Sequence, residues 1–228
     1  MNTYPVINDI VRILFVFILG TEALIITRRT MSSLFAIYAV QSGLIAGISL
    51  LLFIQTNSIV LLLLAVLTVA TKGILIPYVL RGMQRSMNIK RDLEFRYLTP
   101  ISSLLVSSGL ILLVYWAFSG LLSALSSDDL FFFGAVIGVS LTLIGMMIIF
   151  TRKRMITKIV GYLTMENGVL LFSIFVAELP FIVELLIILD LIILIVLAAL
   201  LAFGIDSTIE DFHAKLNSFT FLFKKRER

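Results

Sequence analysis

Long apolar runs separated by short polar clusters dominate the chain, each near the roughly 20 residues that a hydrocarbon core about 30 Å thick requires. They predict seven spanning helices, at Pro5 to Ile26, Leu34 to Ile54, Ile59 to Leu80, Ile101 to Leu125, Leu130 to Phe150, Ile156 to Val176 and Phe181 to Phe203. The runs lack the alternation of a barrel strand, and in lipid only helices and closed barrels satisfy every backbone group. The expected fold class is therefore all-α, a polytopic integral membrane helix bundle of about seven transmembrane helices with no separate soluble domain. After the last run, Ser207-Thr-Ile-Glu210 reads as a capping box, and Ile209, Phe212, Leu216, Phe219 and Phe223 recur at three- and four-residue spacing. That pattern predicts a C-terminal amphipathic helix ending in KKRER, suited to a membrane surface or to a docking partner.

Composition agrees with this reading. Hydrophobic residues make up 60% of the chain and charged residues 14%, with a mean hydropathy of +1.12. Soluble domains sit nearer 45 to 50% apolar. With no cysteine, a disulfide framework, thiolate metal sites and cysteine-ligated clusters are excluded from the chain, so any redox chemistry belongs to partners. The net charge of +4 matters less than its placement. Of the 18 basic residues, all but Arg12 and Lys72 fall in four segments on one side of the predicted bundle: Arg28 and Arg29, Arg81 to Arg96, Arg152 to Lys158, and Lys215 to Arg228. The opposite loops, near Thr56, Asp128 and Glu178, carry none. By the positive-inside rule the C-terminus is expected in the cytoplasm and the N-terminus outside. The first run lacks a basic leader and a small-residue cleavage site, so it is expected to remain as a helix.

A faint internal repeat runs through the same pattern. TRRTM at Thr27 to Met31, then Tyr38 and Gln41-Ser42-Gly43, echoes TRKRM at Thr151 to Met155, then Tyr162 and Glu166-Asn167-Gly168, with a one-residue slip. Duplication of the first three spans as the last three would make the repeat parallel, with the fourth span as connector and Gln41 in the place of Glu166. Chance similarity between two basic loops is the alternative. The chain then divides into an N-terminal three-helix half (1–98), connecting helices four and five (99–150), a second-half helix pair (151–204) and the amphipathic tail (205–228).

The chemistry lies with charges inside the apolar runs. A charge at the bilayer centre costs roughly 2.5 to 3.5 kcal/mol on insertion scales, so such residues usually face a protein interior or a water path. At about 1.5 Å per residue, Glu166, Asp190 and Lys72 fall roughly 15, 14 and 12 Å from their nearer helix ends, around the midplane. Glu184 is shallower, about 5 Å inside its boundary, and the six residues between it and Asp190 turn the two carboxylates to different faces. Arg12 and Glu22, nearer helix ends, read as snorkelling residues. Pro77 is expected to loosen the helix that carries Lys72. The pairs Gly43/Gly47 and Gly134/Gly138 have GxxxG spacing and read as helix packing. His213, the only histidine, cannot form a metal site alone. Neither a phosphate loop nor a zinc-type pair nor a nucleophile triad is visible.

GYLTMENG at Gly161 to Gly168, then Pro180, then VELLIILD at Val183 to Asp190, resembles the membrane component E of hydrogenase-4-type complexes. The second half of that family is similar to the small K subunit of respiratory complex I. Length, span count and the stretch ATKGILIP at Ala70 to Pro77 extend the resemblance over most of the chain. It implies membership in an energy-converting hydrogenase or formate hydrogenlyase assembly of the prokaryotic inner membrane. There, antiporter-like membrane subunits couple nickel–iron chemistry in a peripheral arm to proton or sodium translocation. The chain would hold no cofactor or metal of its own, and the nickel–iron centre and iron–sulfur clusters would belong to partner subunits. Glu166 matches the K-type glutamate of the middle helix. The second K-type glutamate lies farther along its helix than Glu184, where this chain has Val196 and Leu197, so Glu184 and Asp190 are assigned to the hydrogenase branch. The expectation is a non-catalytic subunit whose proton-translocation candidates are Glu166, Asp190, Glu184 and Lys72. A structural scaffold and a component of a multisubunit cation antiporter are the alternatives.

Overall fold

The computed structural model describes residues 5–28, 30–86, 99–122, 129–152 and 155–176, and, in the last apolar run, residues 189, 190, 192, 193, 195 and 196. Its elements are α1 (Pro5–Thr27), α2 (Met31–Thr56), α3 (Ile59–Thr68), a π-helical segment (Val69–Leu75), α4 (Ile76–Ser86), α5 (Pro100–Leu122), α6 (Asp129–Thr151) and α7 (Met155–Val176). Six helices among the described residues are long and apolar enough to cross a membrane, with α3, the π segment and α4 forming one span over Ile59–Gly82. Most of the predicted seventh span, Glu184 within it, and the amphipathic tail with His213 lie outside the described residues.

Local chemistry sets the helix ends. α2 begins at Met31, ahead of the predicted Leu34, because Thr30 is extended (φ −103°, ψ 133°) while its carbonyl already accepts from the Leu34 amide at 3.2 Å. The Ser33 hydroxyl also donates to that carbonyl at 3.0 Å, so a polar first turn is accommodated. At the other end Asn57 is left-handed (φ 54°, ψ 24°), and its amide caps the Phe53 carbonyl at 2.7 Å. Asparagine tolerates that conformation better than most residues, which permits the tight reversal into α3.

The third span is interrupted where Pro77 demands it. Proline has no amide proton and its ring crowds the carbonyl four residues back. Over Val69–Leu75 the turns widen to the π pattern, and the Ile76 amide reaches back five residues to the Thr71 carbonyl. Wider turns relieve the clash and rotate the side chains before Pro77. Lys72 sits in the middle of this segment and points inward.

α1 with α2 and α6 with α7 form two helical hairpins, and α1 runs parallel to α6. Near their starts, Arg12 lies 3.8 Å from Asp129. At their ends, the Arg152 guanidinium donates to the carbonyls of Ile25 (3.2 Å) and Ile26 (2.8 Å), the last turn of α1. A cation there meets the negative end of the helix dipole and satisfies carbonyls that have no intrahelical partner. Arg152 is thus a helix cap as well as a loop charge. Burial pulls its ionisation down from the usual guanidinium range to about 10, so it remains a cation at neutral pH.

Two apolar layers fill the core. Ile25, Ile26, Phe35, Ile76, Ile144, Val160 and Leu163 belong to one, toward the ends that carry the basic loops. Val11, Phe15, Ile18, Ile45, Ile48, Leu64, Leu141 and Leu170 belong to the other. Each of α1, α2, the third span and α7 crosses from one layer to the other through a buried polar or charged residue: Glu22, Gln41, Lys72 and Glu166. The polar residues therefore share one level of the bundle.

α6 and α7 approach each other at backbone distance. A Cβ built on Gly138 would lie 2.6 Å from the Phe172 amide nitrogen and one on Gly145 would lie 2.7 Å from the Gly161 carbonyl. One on Gly168 would meet the Thr142 amide and, at 2.6 Å, the Gly138 carbonyl. Gly134 is filled by the Phe175 ring. Without water between helices, close van der Waals packing of small residues is a main source of association. The predicted packing role holds for Gly134/Gly138. Among the described residues nothing lies within 4 Å of a Cβ added at Gly43 or Gly47.

Candidate functional site

Lys72, Glu166 and Asp190 meet in the polar layer. The Lys72 ammonium lies 3.2 Å from Glu166 Oε1 and 3.6 Å from Asp190 Oδ1, and all three side chains are nearly removed from the surface. These are ion-pair distances, although neither the ammonium nor the Glu166 carboxylate makes a well-aligned hydrogen bond. The two carboxyl groups share that one ammonium. Asp190 occupies the inward face of its helix with Ile193, while Ile192, Ile195 and Val196 are exposed.

Charge counting constrains the triad. One ammonium and two carboxylates sum to −1, and a buried net charge is costly. A single proton shared by the carboxyl groups makes the cluster neutral, as in other close carboxylate pairs. The Thr71 hydroxyl stands beside the cluster, 2.9 Å from the Leu67 carbonyl and 3.3 Å from Asp190 Oδ2. Its one proton is shared between these two acceptors.

A second network lies beside the first. Glu22 Oε2 accepts from Gln41 Nε2 at 2.8 Å, Gln41 Oε1 accepts from Asn167 Nδ2 at 3.2 Å, and the same amide donates to Ser42 Oγ at 3.0 Å. Asn167 follows Glu166 on α7, so the network ends next to the triad. Tyr38, one turn before Gln41 and Ser42 on α2, is fully buried, and its hydroxyl has no hydrogen-bond partner among the described residues.

One expectation changes here. Glu22 does not snorkel: it is 2% exposed and bonded across to α2. Its position five residues before the end of α1 suggested shallowness, but that end is capped by Arg152 inside the protein. Lys72 pairs with both carboxylates from 94 and 118 residues away in sequence. The shared midplane depth of these three was readable from helix arithmetic, whereas their pairing was not. Arg12 is half exposed and pairs with Asp9 at 3.6 Å as well as with Asp129. Sequence reasoning passed over Tyr38 and Asn167 as repeat markers. The available signal was a polar residue at the same depth as Glu166. Among the described residues no cluster of side chains could hold a metal ion. Set against family models, curated proteins and solved structures, the chain matches none.

Proposed function

We propose that this chain is a membrane subunit of an energy-converting nickel–iron hydrogenase or formate hydrogenlyase complex, and that Lys72, Glu166 and Asp190 form a proton-loading station within it. The observation that carries the reading is one buried ammonium held between two carboxyl groups at a π-helical interruption. Such a cluster has two nearly equivalent neutral states, with the proton on Asp190 or on Glu166 and the ammonium moved toward the other. A charge change in a neighbouring subunit would bias that choice, which is what a lateral relay requires. π turns recur at functional sites because they free carbonyls and loosen the helix. The basic loops orient this station with the C-terminus in the cytoplasm of a prokaryotic inner membrane. The parallel run of α1 and α6 supports a repeat of the first three spans as the last three, in which the first half has kept an amide, Gln41, where the second has Glu166. Glu184 is a further proton-translocation candidate of the same predicted span. Catalytic metals, clusters and antiporter-like subunits are supplied by partners.

The test is ion pumping in proteoliposomes of the assembled complex, normalised to hydrogen production. Glu166→Gln and Asp190→Asn should each leave assembly and soluble-donor hydrogen chemistry in place while pumping falls at least tenfold. Glu184→Gln should be milder. Undiminished pumping in both of the first two variants would leave the scaffold reading ahead, and recovery of the tagged protein as a lone, transport-active species would replace the complex reading with an independent antiporter.

A further inference from the structure

Glu22 is a buried carboxyl group that the Lys72 station does not use. None of the ion pairs among the described residues includes it, and its Oε1 has no hydrogen-bond partner. The titratable and charged groups on its own and the surrounding elements are Asp9 and Arg12 on α1, Tyr38 on α2, Lys72, Tyr78, Arg81 and Arg85 on the third span and α4, Lys158, Tyr162 and Glu166 on α7, and Asp129 and Arg152 at the two ends of α6. Its only described side-chain hydrogen bond is to Gln41. A second unsatisfied atom stands at the far end of the same chain, Asn167 Oδ1. Two unpartnered oxygens at opposite ends of a chain of amides are the mark of a hydrogen-bond sequence drawn in one of its two directions.

We infer that Glu22 is a second proton-binding site, and that the Gln41 and Asn167 amides form a reversible hydrogen-bond chain linking its protonation to the Lys72–Glu166–Asp190 station. In the arrangement observed, Gln41 Nε2 donates to Glu22 Oε2 and Asn167 Nδ2 donates to Gln41 Oε1. Both of these links point toward Glu22, as an ionised carboxylate requires, while the same Asn167 amide also donates to Ser42 Oγ. When Glu22 takes up a proton from water, its hydroxyl becomes a donor. The Gln41 amide then turns so that Oε1 accepts from Glu22, and Nε2 points toward α7. Asn167 turns in response, its Oδ1 accepting from Gln41 Nε2 and from the Ser42 hydroxyl. The formerly orphaned oxygen is satisfied, and Nδ2 of Asn167 leaves Ser42. No covalent bond in either amide is made or broken. The proton stays on Glu22, and what travels is the direction of the hydrogen bonds.

The inference rests on the proposed station for its second site but not for its first. Its consequence is that the half of the bundle carrying Gln41 reports to the station without supplying a charge at that position. Glu22 lies about 8 Å along α1 from the end that Arg152 caps, so its proton source is nearer that end than the station itself is.

The test uses the full-length protein, with the subunits that co-purify, in lipid nanodiscs. Infrared difference spectra between acidic and alkaline samples read the C=O stretch of protonated carboxyl groups. Glu22→Gln should remove one titrating band, Glu166→Gln another, and Glu22→Gln should change the proton affinity of the remaining station band by about fivefold, the lower range of site-to-site coupling. Gln41→Met keeps similar volume and cuts the chain. In that background Glu22→Gln should no longer move the station band. A spectrum without a band assignable to Glu22, or a station titration unchanged by Glu22→Gln with Gln41 present, overturns the inference. Retained coupling in Gln41→Met overturns the amide route. If Gln41→Met does not accumulate, Asn167→Leu cuts the chain at its other link and is read in the same way. These titrations are independent of pumping, so loss of the relay reading in proteoliposomes and loss of Glu22 coupling here are separate results.

Discussion

The two hairpins differ in how their helices touch. α6 and α7 meet at backbone distance through Gly138, Gly145, Gly161 and Gly168, with the Phe175 ring on Gly134, whereas an added Cβ at Gly20, Gly43 or Gly47 of α1 and α2 has no atom of the described residues within 4 Å. In α1/α2 the contact is made by side chains, Phe15, Ile18, Ile45 and Ile48 in one apolar layer and Ile25, Ile26, Phe35 and Tyr38 in the other. The tight hairpin carries Glu166, which must be held at fixed distance from Lys72. The looser one carries Gln41, whose amide can turn without moving a helix. Close backbone contact and the carboxyl group of Glu166 coincide in one hairpin, while the other, held by side chains, carries the carboxyl group of Glu22 and the neutral amide of Gln41.

Lys72→Met should break this comparison most severely. It leaves two buried carboxyl groups facing each other without their cation, and loss of one partner of a buried pair costs about 3 to 5 kcal/mol. Thermal unfolding in detergent should show the loss growing as pH rises, because ionising the carboxyl groups then has no compensation. A loss independent of pH would mean that the ammonium acts by packing alone.

Gly168→Val comes next. The added methyl groups would collide with backbone of α6, which cannot step aside as a side chain can, and about 3 kcal/mol should be lost. The yield of monodisperse protein is the measure. Gly47→Ala provides the contrast and should leave the intrachain fold unchanged. Equal damage from both would erase the distinction between the hairpins.

Arg152→Met should cost about 1.5 to 3 kcal/mol, the range for hydrogen bonds from a charged donor. The loss should appear as faster hydrogen exchange at the end of α1, in the hairpin to which Arg152 does not belong. Faster exchange at the end of α6 alone would show that the cap across to α1 is not what Arg152 contributes. Smallest of all should be Arg12→Gln. Its pairs with Asp9 and Asp129 are largely exposed, and such pairs are worth about 0 to 1 kcal/mol.

Much of this was legible in the chain, and the reasons are physical. A bilayer imposes a length on every apolar run, so the described spans follow directly from residue pattern. Their ends shift by a few residues where hydroxyl groups cap them, as at Thr30. Pro77 announced the disturbed third span, but not that the disturbance takes the π form around Lys72. Depth along a helix placed Lys72, Glu166 and Asp190 at one level. The same arithmetic misjudged Glu22, since depth gives no rotation and the deciding partner, Gln41, is 19 residues away on another helix. GxxxG spacing could not tell the glycines that meet a neighbour from those that do not, because spacing marks a face and not what lies opposite.

Arg152 also bears on how the chain is made. The carbonyls of Ile25 and Ile26 wait for a donor that lies more than 120 residues downstream. At about 5 to 20 residues per second, that delay is on the order of 6 to 25 s of translation. During this interval the first helix sits in the membrane with its last turn solvated by interfacial water. Arrival of the second hairpin replaces that water with the guanidinium and locks the two inserted pieces in register. The early chain is thus held open to rearrangement until its later half has been inserted beside it.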